Sequence, residues 1–410
     1  MVSYLLPISG RRLMLALLAI SLTGCIGPVA LEKALPSYDE TVSQLQGQSL
    51  LLNIARARHG MPPHFTTTTS IVATFNFETA ASVTGNFPSN KVLYPNATLS
   101  VGATVSENPT IELVPLRGDD FAKQLLTPLD DNLVSLLNTE ALPLDLLLRL
   151  LGESFYFVDS EGRFLRAVRN SPGIPAEYEE YRRIVAHIGQ LDAKDRLYFK
   201  RLSFTITKKV PLPAAPTISD LLTASAAGFD YIQYEGVPYF ESSELVIGHH
   251  MISNFDPLTL NDAERALLNA KISHTPGDYL DIELRPGNAG GDYPLRGAIA
   301  LRSFGEVLDF VARGMAEAPE YDVPIDPRTA EISGTGAVRS GWSTNPAQVL
   351  KIVESKDPPE ADNLNVSYRG SYYSVAQDEW NLAAFKALYF LLQMSSQSSP
   401  QRAFPITISK

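Results

Sequence analysis

Cysteine is almost missing from this sequence: one residue, Cys25, in 410, which excludes an intramolecular disulfide and a cysteine-rich metal site. Histidine is scarce too. The six histidines, His59, His64, His187, His249, His250 and His274, form no His-Glu-x-x-His pattern. His249 and His250 follow an apolar strand, and neighbours on a strand face opposite sides, so one packed and one solvated ring are expected rather than a shared ion. His59 and His64 flank a Gly-Met-Pro-Pro turn, where a helix C-terminus favours a histidine electrostatically. The nucleophile-elbow pattern Gly-x-Ser-x-Gly is absent. The run Gly334-Thr-Gly336-Ala-Val-Arg-Ser-Gly341 places its third glycine two positions late for a dinucleotide loop, with no clear strand before it, and reads as a flexible loop. Carboxylate pairs (Asp119-Asp120, Asp130-Asp131, Glu179-Glu180) are what an acidic surface produces, and glycoside hydrolysis also needs one raised pKa and a fixed separation. No catalytic residue, cofactor or metal ligand is therefore assigned.

Positive charge is in deficit as well. Lys and Arg number 34 against 45 Asp and Glu, a formal net charge of −11. That balance repels nucleic acid and anionic headgroups, so nucleic acid is not an expected partner. No apolar run reaches the ~20 residues that a permanent membrane helix needs. The longest candidate, Leu13 to Leu22, comes after Arg11 and Arg12 and has the length and order of a secretory signal.

The end of that run carries a specific motif. Leu22-Thr23-Gly24-Cys25 resembles the lipobox of bacterial lipoproteins, in which Leu22, Thr23 and Gly24 would form the recognition segment and the Cys25 thiol would accept diacylglycerol. The resemblance implies that residues 1–24 are a signal peptide, that the remaining chain is lipidated at Cys25, and that membrane lipid is its first partner. Two or more acyl chains make such attachment stable, at about 0.8 kcal/mol per buried methylene. Ile26 stands after the cysteine in place of the aspartate that typically retains such proteins in the inner membrane, so the implied location is the outer membrane, facing the periplasm. The segments Asn53-Ile-Ala-Arg-Ala-Arg-His-Gly-Met-Pro-Pro63, Pro109-Thr-Ile-Glu-Leu-Val-Pro-Leu-Arg-Gly-Asp-Asp-Phe-Ala-Lys-Gln-Leu-Leu-Thr-Pro128 and Val366-Ser-Tyr-Arg-Gly-Ser-Tyr-Tyr-Ser-Val375 look like those of an uncharacterised group of proteobacterial lipoproteins, which implies no activity.

The hydrophobic share, 45%, suffices for sizeable cores, and the periods predict an α+β fold. After a tether over residues 25–37, Val42, Leu45, Leu51, Leu52 and Ala55 recur at helical spacing until Gly60 and Pro62-Pro63 stop them. From residue 66 to 113 the period becomes two. Ile71, Ala73, Phe75, Phe77, Ala81 and Val83 alternate with Thr74, Asn76, Glu78, Ser82 and Thr84. Beyond a turn-rich segment, Ala97, Leu99, Val101, Ala103 and Val105 alternate with Thr98, Ser100, Gly102, Thr104 and Ser106. A leucine-rich helical stretch from Asp119 to Gly152 is broken at Pro128 and Pro143, and a small hairpin turns at Ser160-Glu161-Gly162. A helix over 176–191 precedes strands at 202–207, 231–234, 245–248 and 279–284. The helix after Leu301 carries a capping box, Ser303 with Glu306. A hairpin over 364–375, an apolar helix over 378–394 and a strand over 404–409 close the chain. The division that this suggests is an N-terminal domain over 38–175, a central α+β domain over 176–316, a loop or linker over 317–360 and a C-terminal region over 361–410.

The long hairpin, 71–113, is the sharpest functional hint. Between Thr79 and Ser106 its only charged residue is Lys91, and each arm exceeds the 9–11 residues, roughly, with which a tilted strand crosses an outer membrane. A lone hairpin cannot span lipid because its edges leave backbone groups unsatisfied, so spanning requires several copies. A half-buried hairpin of a soluble domain gives the same alternation, and the alanine- and glycine-rich faces without aromatic girdles favour that reading. Three function classes remain: a non-enzymatic envelope binding or scaffolding protein with envelope proteins as partners, which is the leading expectation; an oligomeric pore or secretion subunit; and a peptidoglycan or glycan hydrolase.

Overall fold

The computed structural model describes residues 26–85, 97–115, 118–140, 142–271, 279–330, 346–360 and 363–396. The architecture is α+β, as the change of period predicts. The chain divides into two compact units, one holding the described residues 26–49 and 64–115, the other 50–63 and 118–396.

Helix α1 (Ile26–Arg58) begins earlier than expected. The stretch 26–37, expected as a tether, is helical, because Val29-Ala-Leu-Glu-Lys-Ala-Leu35 is rich in good helix formers and carries the helix past Pro36. Proline inside a helix removes one hydrogen bond without necessarily ending it. In the first unit, β1 (Thr66–Gly85) and β2 (Ala97–Pro115) form an antiparallel hairpin that is a two-stranded sheet by itself.

The second unit opens with α2 (Asp119–Leu126), α3 (Asp131–Thr139) and α4 (Leu144–Leu151), separated at the two prolines as the sequence predicts. Asp130 caps α3 by accepting from the Asn132 amide at 2.8 Å. Helix α4, Leu-Asp-Leu-Leu-Leu-Arg-Leu-Leu, is buried nearly all round and packs on α5 (Pro175–Ala193), whose Tyr178, Tyr181, Ile184, Ile188 and Leu191 have no exposed surface.

Beside these helices lies a seven-stranded sheet built from β3 (Gly152–Val158), β4 (Phe164–Arg169), β5 (Tyr198–Pro211), β6 (Asp230–Tyr234), β7 (Val237–Ser253), β8 (Tyr279–Leu284) and β9 (Leu295–Leu301). The order is β4-β3-β9-β8-β7-β5, with β6 also on β7; only β7 and β8 run parallel. Strands β3 and β9 pair, so one sheet crosses the division expected at 175/176. The link was hidden because Leu295-Arg-Gly-Ala-Ile-Ala-Leu301 is a buried apolar run without alternation, which periodicity alone does not reveal. Two further helices, α6 (Ile218–Ala226) and α7 (Asp262–Lys271), lie between these strands in sequence and were not expected.

Helix α8 (Phe304–Gly314) has both halves of its capping box and buries Phe304, Val307, Leu308 and Val311. The stretch 317–360, expected as a surface loop or linker, is in part interior: Glu320, Val323, Val349, Leu350 and Ile352 are buried. It contributes α9 (Pro327–Ala330) and β10 (Ile352–Ser355). Strands β11 (Asn365–Tyr368) and β12 (Ser371–Val375) turn at Arg369-Gly370, both at positive φ, and form a sheet in the order β10-β12-β11 before α10 (Glu379–Ser396). The 404–409 strand expectation lies outside the described residues.

Candidate functional site

The hairpin pairs residue by residue. From Ser70 with Glu112 to Gly85 with Ala97 the register is unbroken, and every pair joins residues of the same parity: Ile71 with Ile111, Phe77 with Val105, Ala81 with Val101, Val83 with Leu99. Odd positions of both arms therefore share one face and even positions the other. The odd face takes Ile71, Ala73, Phe75, Phe77, Ala81 and Val83 with Leu99, Val101, Ala103 and Val105. The even face takes Thr74, Asn76, Glu78, Ser82 and Thr84 with Thr98, Ser100, Thr104 and Ser106. A register shift at Thr68/Ser70 kinks the base of β1. At ~3.3 Å per residue the 20-residue first arm extends about 65 Å. Neither arm pairs with a third strand among the described residues.

In the second unit most of the histidines singled out in the sequence have structural partners. The His59 ring lies 2.8 Å from the Tyr373 hydroxyl and packs against Tyr368. His187, fully buried, places Nδ1 2.9 Å from Thr329 Oγ1 and Nε2 3.0 Å from the Gly290 carbonyl, and burial lowers its pKa. His250 is buried against Asp131, while His249 is half-buried, close to the packed-and-solvated split expected. His64 is exposed. His274 and the Gly334–Gly341 run lie outside the described residues.

The carboxylate pairs take different structural partners on folding, although Asp130 and Asp131 stay in hydrogen-bonding contact. Asp130 caps α3, and Asp131 accepts from the backbone N–H of His250 at 2.9 Å and lies 3.0 Å from its ring Nδ1. Burial pushes the Asp131 pKa up, but the His250 and Asp130 hydrogen bonds outweigh it and hold the carboxyl well below its usual range. Glu179 pairs with Arg183 and Glu180 with Arg166. Asp119 is exposed. Among the described residues no group of three or more His, Cys, Asp or Glu is placed to hold a metal ion.

Sequence reasoning missed two buried polar clusters. In one, Glu320 Oε1 lies 3.1 Å from Arg149 Nη2 and 3.7 Å from Arg182 Nη1 and accepts from the Tyr178 hydroxyl at 3.0 Å, while Oε2 accepts from the Val349 amide at 2.6 Å. Its signal was Arg149 itself, a charge inside the apolar run of α4. In the other, Asp281 on β8, 2% exposed, stands near Asp131, and its Oδ2 has no hydrogen-bond partner among the described residues. Burial, reinforced by the Asp131 charge, pushes its pKa well up. Here the signal was an acid at an inward position of Tyr279-Leu-Asp-Ile-Glu-Leu284. Both clusters hold elements of one core together.

No described helix is long and apolar enough to cross a membrane. The lipobox, Leu22 to Cys25, lies outside the described residues. Comparison with family models, with curated proteins and with solved structures finds no match.

Proposed function

We propose that this protein is a lipid-anchored, non-enzymatic component of the bacterial cell envelope. Residues 1–24 are its export signal, Cys25 its acylated residue, and the outer membrane, on the periplasmic side, its location. Its work is binding or scaffolding, and the β1–β2 hairpin is the binding element. The observation that carries this reading is a 20-residue arm and a 19-residue arm that pair with each other and with no other described strand, so two rows of backbone donors and acceptors stand open to a strand-adding partner. The lipobox resemblance supplies the placement.

Labelled palmitate in cells producing the chain tests it. Label is expected in the wild-type protein, which sediments with the outer membrane, and is expected to vanish in Cys25→Ser. Equal labelling of both proteins, or of neither, refutes the anchor and the location with it.

A further inference from the structure

We infer that the partner of the hairpin is the hairpin of another copy of this chain, and that at least four copies close their β1 and β2 edges into one barrel across the outer membrane. This rests on the reading of the hairpin as the binding element, and adds who binds it.

The edges carry the inference. The seven-stranded sheet of the second unit guards the two ends of its strand order with charge: Arg166 and Arg169 on β4, ion-paired to Glu180 and Glu177, and Lys200, Arg201, Lys208 and Lys209 on β5, while the short five-residue β6 carries only Asp230. Charge of this kind is how sheets avoid unwanted strand addition. On the paired arms of the hairpin such devices sit mainly toward the base. The register shift at Thr68/Ser70, Pro109, Glu107 and Glu112 all fall there. Beyond Phe75–Glu107, ten consecutive pairs from Asn76–Ser106 to Gly85–Ala97 carry a single charge, Glu78, on the even face. Proline is absent from both arms over these pairs. The same chain thus guards the long end strands of one sheet and, among the described residues, leaves the long edges of the other unpaired and nearly uncharged.

The identity of the partner comes from parity. A strand added to either edge must bring apolar residues to the odd face and polar ones to the even face, over the same length. The opposite arm of a second copy does so throughout. Each copy offers one β1 edge and one β2 edge, so head-to-tail pairing repeats until the ring closes and no edge remains. A closed barrel needs about eight strands, hence at least four copies. At that size side chains fill the interior, and larger rings enclose water.

Lipid fits the odd face by length. Ten residues at ~3.3 Å, tilted by about 45°, rise about 23 Å, close to the ~25 Å apolar band of outer-membrane barrels. The odd face is free of charge over those pairs, and the even face, lined by Ser, Thr and Asn, suits a wet interior.

The test is the molar mass and bilayer conductance of the full protein extracted from membranes in mild detergent, alongside Val101→Arg on the odd face and Ser100→Arg on the even face. Expected are a wild-type complex of at least four times the mass of the chain from Cys25 onward, which conducts when it holds more than four copies, loss of the complex by tenfold or more in Val101→Arg, and retention in Ser100→Arg with altered conductance in a conducting ring. Circular dichroism and Trp380 fluorescence confirm that the second unit of each variant is folded. A wild-type monomer, or a non-conducting complex whose two variants behave alike, overturns the barrel. A monomer that still incorporates palmitate overturns this inference and leaves the anchored-scaffold reading standing; loss of palmitate labelling with a conducting complex does the reverse.

Discussion

Glu320→Ala should destabilise the second unit more than any other single truncation of a polar residue there. Its carboxylate is 5% exposed and faces two guanidiniums that are each 1% exposed, so it is a direct counter-ion to both. Burial pulls the Arg149 pKa down, the Glu320 charge pulls it back up, and Arg182 opposes that. Truncation leaves two buried like charges with one fewer acid and leaves the Val349 amide without its 2.6 Å acceptor. Removing one partner of a buried pair costs about 3–5 kcal/mol, and an orphaned amide alone about 1–3. The groups share one site, so these do not add, and about 4 kcal/mol is the expected total.

Trp380 reports on the same place, since its indole N–H donates to the Val349 carbonyl at 3.0 Å and the Arg149 guanidinium lies 5.7 Å from its ring. Urea unfolding followed by fluorescence in a Trp342→Phe background therefore reads the relevant transition. Adding Arg182→Met to Glu320→Ala removes one of the stranded charges and should return about 1–3 kcal/mol. A loss below about 1 kcal/mol, or no recovery in the double variant, would refute the assignment of Glu320 as the neutralising group.

Other expectations come from single sites. Asp281→Asn should stabilise the unit at pH 7 by about 1–3 kcal/mol, since it removes a carboxyl that is buried with one oxygen unpartnered. Because its folded pKa is raised, wild-type stability from this group is intact below about pH 4 and declines as pH rises toward the folded pKa, so the two proteins should converge in acid. Asp131 runs the other way: its folded pKa is depressed, so its contribution holds above about pH 4 and is lost on acidification, a dependence that His250→Ala should weaken in urea titrations. Gly152→Ala should cost about 1–3 kcal/mol by thermal melting, because a Cβ there would run into the Tyr181 hydroxyl and the Leu148 carbonyl. Arginine on the odd face of the hairpin should cost about 2–4 kcal/mol per copy in a detergent-to-vesicle partition assay, and arginine on the even face much less.

Local chemistry was easy to read from the chain and long-range pairing was not. The prolines at 128 and 143 divide the leucine-rich stretch into α2, α3 and α4 as expected, Ser303 and Glu306 cap α8 from both sides, and β8 occupies Tyr279–Leu284. Those features are set within a few residues of themselves. Strand β9 has no such marker, so the sheet that joins β3 to β8 through it was invisible, and with it the unity of residues either side of 175. The interior role of 317–360 was hidden for a related reason: Glu320 is drawn inside by Arg149, 171 residues away in sequence, and by Arg182, Val349 follows through its bond to Glu320, and nothing local announces that. The hairpin lay between these cases. Its faces could be read from alternation alone, whereas the absence of a third strand among the described residues could come only from the structure.

The two units also differ in what makes them stable. The second has a core of its own, in which Leu146, Leu147, Ile184, Ile282, Ile299 and Leu308 are almost wholly removed from water, so its stability is independent of protein concentration. A two-stranded ribbon has no interior, and in water it is marginal at best. If neighbouring hairpins supply the missing strands, order in the ribbon is linked to assembly by mass action and must shift with concentration. Urea titration in detergent should then separate two events: a Trp380 transition fixed in midpoint, and a loss of far-ultraviolet β-signal that moves to higher urea as protein is added. Coincident transitions, both insensitive to a hundredfold change in concentration, would mean that the ribbon is held by its own chain, and the open edges would need another explanation.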